Sequence, residues 1–223
     1  MIKLCLFDLD GTLLDTLTQI QYYLNKTLKL YGFSELPLDR VRKIVGYGGR
    51  NLIESALNLS GRNRAEEPWL YEEFFEKYLK LYNSDANYLV APYDGIYQAL
   101  DYLKSRGVKL AVVSNKPHST VVLVVRKFFG DSFDVVIGGR DGIPLKPAAD
   151  MPLLACEALG ISPSETAFIG DTEVDMHTAR AYGASAAVGV LWGFRDRETV
   201  AKAGADYLIE SPYELIELFE KIL

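Results

Sequence analysis

The sequence predicts an α/β protein: a doubly wound, Rossmann-like parallel sheet of about five strands with an all-helical cap inserted after the first strand. Three observations carry this expectation. Short runs rich in Val, Ile, Leu and Ala recur along the chain, helical patterns that stop at glycine lie between them, and one long early interval holds helical patterns without a convincing strand.

The apolar runs are Lys3 to Phe7, Lys109 to Val113, Val135 to Ile137, Ala167 to Ile169 and Ala186 to Leu191. Their continuous apolarity suits strands buried on both faces, as in a parallel sheet. Between them, Ile96, Leu100 and Leu103 share a helical face ahead of Gly107, and Leu154, Ala158 and Leu159 precede Gly160. Glycine just beyond such a pattern is a helix stop. Strand and helix in alternation, with short connections, give helices on both faces joined by right-handed crossovers.

The interval 16–86 breaks this rhythm. Leu17, Ile20, Leu24, Leu28 and Tyr31 follow helical spacing, as do Leu70, Phe74, Tyr78 and Leu81. Pro37 precedes a short basic helix with Arg40, Arg42 and Lys43. Gly46-Tyr47-Gly48-Gly49 then makes a flexible break before a helix over Asn51 to Leu59. The division expected is therefore a core of residues 1–15 and 87–223 and a helical cap of residues 16–86. Trp69, Phe74, Phe75 and Tyr78 form an aromatic stripe assigned to the cap core. Flexible points are expected near Asp15 to Leu17 and Asp85 to Tyr88, so that closure expels water and opening releases product.

Composition narrows the partners. The 223 residues are 49% hydrophobic and 24% charged, the balance of an ordinary globular protein. A net charge of −6 and a pI near 5.1 argue against nucleic acid or an anionic membrane, both of which need a basic surface, and favour a small-molecule substrate. Asp8 comes too early for a signal peptide, and no apolar run approaches the roughly 20 residues of a membrane helix. A cytoplasmic protein, monomer or homodimer, is expected. Cys5 and Cys156 lie in apolar settings that suit core packing, and His118 and His177 have no partner spacing for a metal or a triad.

The chemistry should sit beyond the carboxyl ends of the strands, where the loops of an open parallel sheet splay apart. Asp8-Leu9-Asp10-Gly11-Thr12 follows the first strand, Ser114-Asn115-Lys116 the second, and Gly170-Asp171-Thr172 the fourth, with Asp175 one turn on. Lys146-Pro147 opens the segment leading to the fourth strand. Carboxylates two residues apart point the same way along a strand, and Gly11 allows the sharp turn that follows. Adding Asp171 crowds three carboxylates, and each like-charge pair at about 4 Å costs about 4 kcal/mol at an effective dielectric near 20. Such a cluster demands cations. An all-oxygen set suits Mg²⁺, and Lys146 adds a fixed positive charge for a phosphoryl group.

The segments LFDLDGTLLDT, VVSNK, KPAAD and FIGDTEVD resemble the four ordered motifs of the haloacid dehalogenase superfamily, and the resemblance covers essentially the whole chain. It implies a Mg²⁺-dependent phosphatase with Asp8 as nucleophile and metal ligand. Asp10 would be the general acid and base, its backbone carbonyl also on the metal, and Asp171 would complete the site. Ser114 and the Asn115 backbone would hold the phosphate together with Thr12. Lys146 would orient Asp8, and Asp175 would brace Lys146 or a metal water. One departure is Ala149, where the family often has a second proline.

Ile44 to Leu52 is similar to the cap loop of phosphoglycolate phosphatases, and Ala203 to Tyr207 also looks like that group. The implied substrate is 2-phosphoglycolate, with Arg50 meeting its carboxylate. The alternative is a phosphosugar mutase of the beta-phosphoglucomutase type. Those enzymes carry lysine before the cap-loop glycine, where this chain has Val45. Asp10 argues against a dehalogenase, and the full set of acids argues against a non-catalytic binding module.

Overall fold

The computed structural model describes residues 1–85 and 88–222. The buried run β1 (Leu4–Phe7) is the centre of the sheet, with β4 (Lys109–Pro117) on one side and β6 (Thr166–Gly170) on the other. β5 (Val135–Gly139) flanks β4, and β7 (Ala186–Val190) and β8 (Tyr207–Ile209) extend the far side. All six run parallel in the order β5-β4-β1-β6-β7-β8. The chain thus builds outward from β1 in one direction and then crosses back to build in the other. The reversal opens a crevice between the ends of β1 and β6, the place where ligands bind in such sheets.

Alternation along β1 sends its side chains into two cores. Cys5 and Phe7 pack with α5 (Ile96–Ser105), α6 (His118–Phe129) and α10 (Tyr213–Ile222). Leu4 and Leu6 pack on the other face with α7 (Asp150–Leu159), α8 (Glu173–Tyr182) and α9 (Arg197–Lys202). Gly160 ends α7 in the left-handed region at φ 64°, and Gly183 does the same for α8 at φ 80°. Both cysteines are buried and unpaired.

The main sheet has one more strand than the sequence predicts. Only three residues long and half-exposed, β8 lacks the apolar run that marks the others. It forms because β7 leaves an open edge, to which Tyr207, Leu208 and Ile209 pair in register with Val188, Gly189 and Val190.

Four helices, and no strand, fill residues 17–84: α1 (Leu17–Leu30), α2 (Leu38–Ile44), α3 (Gly49–Leu59) and α4 (Pro68–Ser84). Their inward faces, including Leu24, Leu28, Ile53, Ala56, Tyr71 and Phe74, form a separate hydrophobic cluster that takes in Phe194 from the far end of the chain. A two-stranded antiparallel ribbon, β2 (Leu14–Asp15) with β3 (Ala91–Pro92), ties together the points where the chain leaves and rejoins the sheet unit. The middle of the hinge expected at Asp85 to Tyr88, and the boundary at 86/87, lie outside the described residues. No helix among the described residues is long and apolar enough to cross a membrane.

The aromatic stripe needs correcting at one end. Trp69 is 63% exposed, because only the face of α4 carrying Leu70, Phe74 and Tyr78 meets the other cap helices. Phe74→Ala should therefore cost about 3–5 kcal/mol through its cavity, whereas Trp69→Ala should stay within about 0.5 kcal/mol; chemical denaturation of the two variants checks this.

Candidate active site

Asp8 directly follows β1, and the chain turns at Gly11 with φ 87°. A Cβ on Gly11 would come within 2.4 Å of Asp171 Oδ2, so glycine is what lets the turn lie against the loop after β6. Thr12 Oγ1 donates to Asp171 Oδ1 at 2.9 Å, and the Phe194 N–H donates to Oδ2 at 2.8 Å. Thr12 is fully buried, so its hydroxyl fixes Asp171 and does not face a substrate, a correction to its expected place.

One carboxylate oxygen each from Asp8, Asp171 and Asp175 can be chosen so that all lie within 4.8 Å of one another, and all three residues are buried. Lys146 Nζ stands 2.9 Å from Asp8 Oδ1 and 2.7 Å from Asp175 Oδ1, its side chain 1% exposed. Lys146 meets Asp8 Oδ1 as an ion pair, and that buried oxygen has no hydrogen-bond partner among the described residues. Asp175 is anchored from its other oxygen, which accepts from the Thr172 N–H and Oγ1 at 3.0 and 2.7 Å at the start of α8. Asp10 is not in this group through its carboxylate: Oδ1 accepts from Lys116 Nζ at 2.8 Å.

Two of the three carboxylates, Asp8 and Asp175, therefore share one buried ammonium, while Asp171 has none. Burial pushes Asp8 up to about 7, with Asp175 and Asp10 adding to the rise and Lys146 opposing it. Burial, with Asp175 and Asp8 nearby, likewise holds Asp171 well above the usual carboxylate range. For Lys146 burial acts downward, yet Asp175 and Asp8 together raise it and keep it charged. An unsatisfied buried oxygen in an all-carboxylate cluster is the donor set of a hard divalent cation, so the residues present fit Mg²⁺.

Ser114 is buried within β4, which runs on past the expected end at Val113 to Pro117, and its Oγ accepts weakly from the Lys116 N–H at 3.4 Å. Asn115 clamps the Lys146 loop: its Oδ1 accepts from Lys146 N–H at 2.8 Å and its Nδ2 donates to Lys146 O at 2.9 Å and to Gly46 O at 3.1 Å. Lys116 had no assigned role in the sequence reading. Its signal was present, a lysine beside Ser-Asn at a strand's carboxyl end. His118 Nδ1 accepts from the Gly138 N–H, a structural contact.

Asp8, Asp10, Ser114, Asn115 and Lys116 floor a cleft of about 80 Å³. Its opposite wall comes from the helices and from Phe194: Ile20, Val45, Leu52, Tyr78, Leu79 and Tyr82, with Gly46, Gly48 and Gly49 at the start of α3. Arg50 is not brought to this cleft. Its guanidinium donates to Glu72 at 2.8 Å, lies over the Phe75 ring at 4.5 Å, and is 56% exposed. Among the described lining residues the cation is Lys116.

Residues 5–188 match the haloacid dehalogenase-like hydrolase family. A phosphoglycolate phosphatase of Aquifex aeolicus is 34% identical over 220 residues, spanning 98% of this chain and 97% of the relative. The N-acetylmuramic acid 6-phosphate phosphatase of Pseudomonas aeruginosa is 32% identical over 224 residues, 100% of this chain and 96% of that protein. A solved structure from Lactobacillus delbrueckii subsp. bulgaricus superposes with a TM-score of 0.89 at 29% identity, covering 97% of each chain. The chain belongs to the haloacid dehalogenase-like hydrolases. Within that family it is a phosphatase of the phosphoglycolate phosphatase-like group.

The raised Asp8 has a consequence for stability. The folded chain holds this proton more tightly than the unfolded one, so the stability it contributes is whole below 3.8 and is lost as pH rises through about 7. In metal-free protein, Asp8→Asn should match wild type at the acid end of this window and exceed it increasingly towards neutral pH, as read by denaturant melts with chelator present.

Proposed function

We propose that the chain hydrolyses a small phosphomonoester in two steps, carrying the phosphoryl group on Asp8 between them, with Mg²⁺ held by Asp8, Asp171 and the Asp10 backbone carbonyl. The observation that supports this most is the joint burial of Asp8, Asp171 and Asp175 at the ends of β1 and β6, with one lysine paired to Asp8 and Asp175. A bound Mg²⁺ would neutralise charge on the carboxylates and on the phosphoryl oxygens.

A carboxylate oxygen of Asp8 attacks phosphorus, the ester P–O bond breaks, and Asp10 gives its proton to the departing alkoxide. Water then attacks the phosphorus of phospho-Asp8, yields its proton to Asp10, and the P–O bond to Asp8 breaks to free orthophosphate. Lys146 holds the Asp8 oxygen in place throughout, and Asp175 holds Lys146. Ser114 and the Asn115 backbone cradle the phosphate. The helical unit 16–86 serves as the cap that excludes bulk water. The two buried, unpaired thiols suit the cytoplasmic setting we assign it.

For substrate, the relatives named for phosphoglycolate and N-acetylmuramic acid 6-phosphate support a small phosphorylated carboxylic acid, with 2-phosphoglycolate first. Lys116 lines the cleft and Arg50 is paired with Glu72, which supports Lys116 as the residue that meets the carboxylate. Arg50→Ala should leave the ratio of rates on 2-phosphoglycolate and a neutral phosphoester unchanged. Lys116→Met should lower that ratio by about 10-fold or more, the scale of one charged contact. The opposite pattern would return the role to Arg50.

The test of class is a panel of 2-phosphoglycolate, phosphosugars, nucleotides and pyrophosphate with and without Mg²⁺, beside Asp8→Asn. Metal-dependent orthophosphate release lost in Asp8→Asn is expected. Accumulation of a sugar bisphosphate in place of free phosphate would favour the mutase reading.

A further inference from the structure

We propose that Arg195 is a positioning residue that couples closure of the helical cap to the placement of Asp171. The inference rests on the metal-dependent reading of the site given above and adds a residue that no motif of the chain contains.

The segment after β7 touches both halves of the molecule at once. On its inner side it packs against the carboxylate cluster. A Cβ on Gly193 would come within 2.3 Å of Asp171 Cβ and 2.4 Å of Gly11 O, so the backbone here lies directly on Asp171. The next residue, Phe194, gives its N–H to Asp171 Oδ2 and its ring to the hydrophobic cluster of the cap.

On its outer side Arg195 reaches into the cap. Its Nη1 donates to Arg42 O at 2.6 Å and its Nη2 to Val45 O at 2.8 Å. Both acceptors lie at the end of α2, where the last carbonyls of a helix have no partner within it and a cation is favoured. The contact is returned: Arg42 Nη1 donates to Gly193 O at 3.1 Å. Each arginine thus holds the backbone of the other's segment. Glu173, at the start of α8 and two residues from Asp171, accepts from Arg195 Nε at 2.8 Å and fixes the plane of the guanidinium. Tyr47 of the cap loop donates to the same Glu173 at 3.3 Å.

An exposed arginine–glutamate pair contributes little, and that would be the simpler reading. Here the Arg195 side chain is only 11% exposed and serves a carboxylate and two carbonyls across the cap boundary, so its geometry is set by where α2 sits. Gly193 and Phe194 leave little slack between that guanidinium and the Asp171 carboxylate. Withdrawal of α2 would remove two of Arg195's acceptors and the donor to Gly193 O, freeing the loop that delivers the Phe194 N–H. The metal cluster is then best ordered when the cap is down over the cleft.

The test uses Arg195→Met, Arg195→Lys and Glu173→Gln in the full chain, with Mn²⁺ binding to substrate-free protein read by electron paramagnetic resonance, alongside KM and kcat. Arg195→Met should weaken Mn²⁺ by about 10-fold, the lower end of what loss of a partner behind a metal ligand costs, and should raise KM for the phosphoester. Arg195→Lys, which keeps the charge but cannot fork to two carbonyls, should fall between Met and wild type. If Arg195→Met does not fold, Arg195→Lys and Glu173→Gln carry the same comparison. Unchanged Mn²⁺ affinity in folded variants that have lost only thermal stability would overturn the proposal while leaving the proposed chemistry intact. Failure of the wild type itself to bind Mn²⁺ would overturn both.

Discussion

Three carboxylates and one ammonium are buried together where β1 and β6 end, and the surrounding structure is organised by that imbalance. Desolvation makes each unneutralised charge costly, and the Lys146 ion pairs with Asp8 and Asp175 offset only part of it. Asp171 must therefore be held by dipoles, and it is, between the Thr12 hydroxyl and the Phe194 N–H. Asp175 is held by Thr172, and the backbone of Lys146 by the Asn115 side chain. Preorganisation of this kind lets the site stabilise developing charge without rearranging when it appears.

The helical unit supplies what the carboxylate cluster lacks. Its wall of Ile20, Val45, Leu52, Tyr78 and Leu79 dries the cleft, which strengthens every electrostatic contact on the floor. The helical unit meets the rest of the chain at several points, with Asn115 donating to Gly46 O and Arg195 to Val45 O. Asn115 thus belongs both to the cleft floor and to the contact with the helical unit. Lys116, paired with Asp10 and lying 4.9 Å from the Tyr82 ring centre, sits where floor and wall meet.

The parts of this arrangement legible in the sequence are those whose cause is local. A buried parallel strand must be apolar along its length, so five of the six sheet strands announce themselves; β8 does not, because an edge strand of three residues owes its existence to β7 and not to its own composition. Acids after strands are visible for the same reason: the carboxyl ends of β1 and β6 are found once the strands are found. Partner choice is not local. Arg50 lies in the right loop, yet Glu72 and Phe75 of α4 turn it away, and nothing in the spacing between 50 and 72 shows this. Arg195 has the reverse history, distant from the cap helices in sequence and joined to them only through the fold. Trp69 shares a helix with Phe74 but not a face, and the 3.6-residue period decides which of them is buried.

The central claim is that this buried excess of negative charge exists to be met by a divalent ion. It is tested most directly by titrating metal-free protein with Mg²⁺ in a calorimeter while following thermal unfolding. One ion bound per chain, a rise in melting temperature that grows with Mg²⁺ concentration, and loss of both in Asp171→Asn are the results predicted. A melting temperature indifferent to Mg²⁺, or binding that survives in Asp171→Asn, would contradict it.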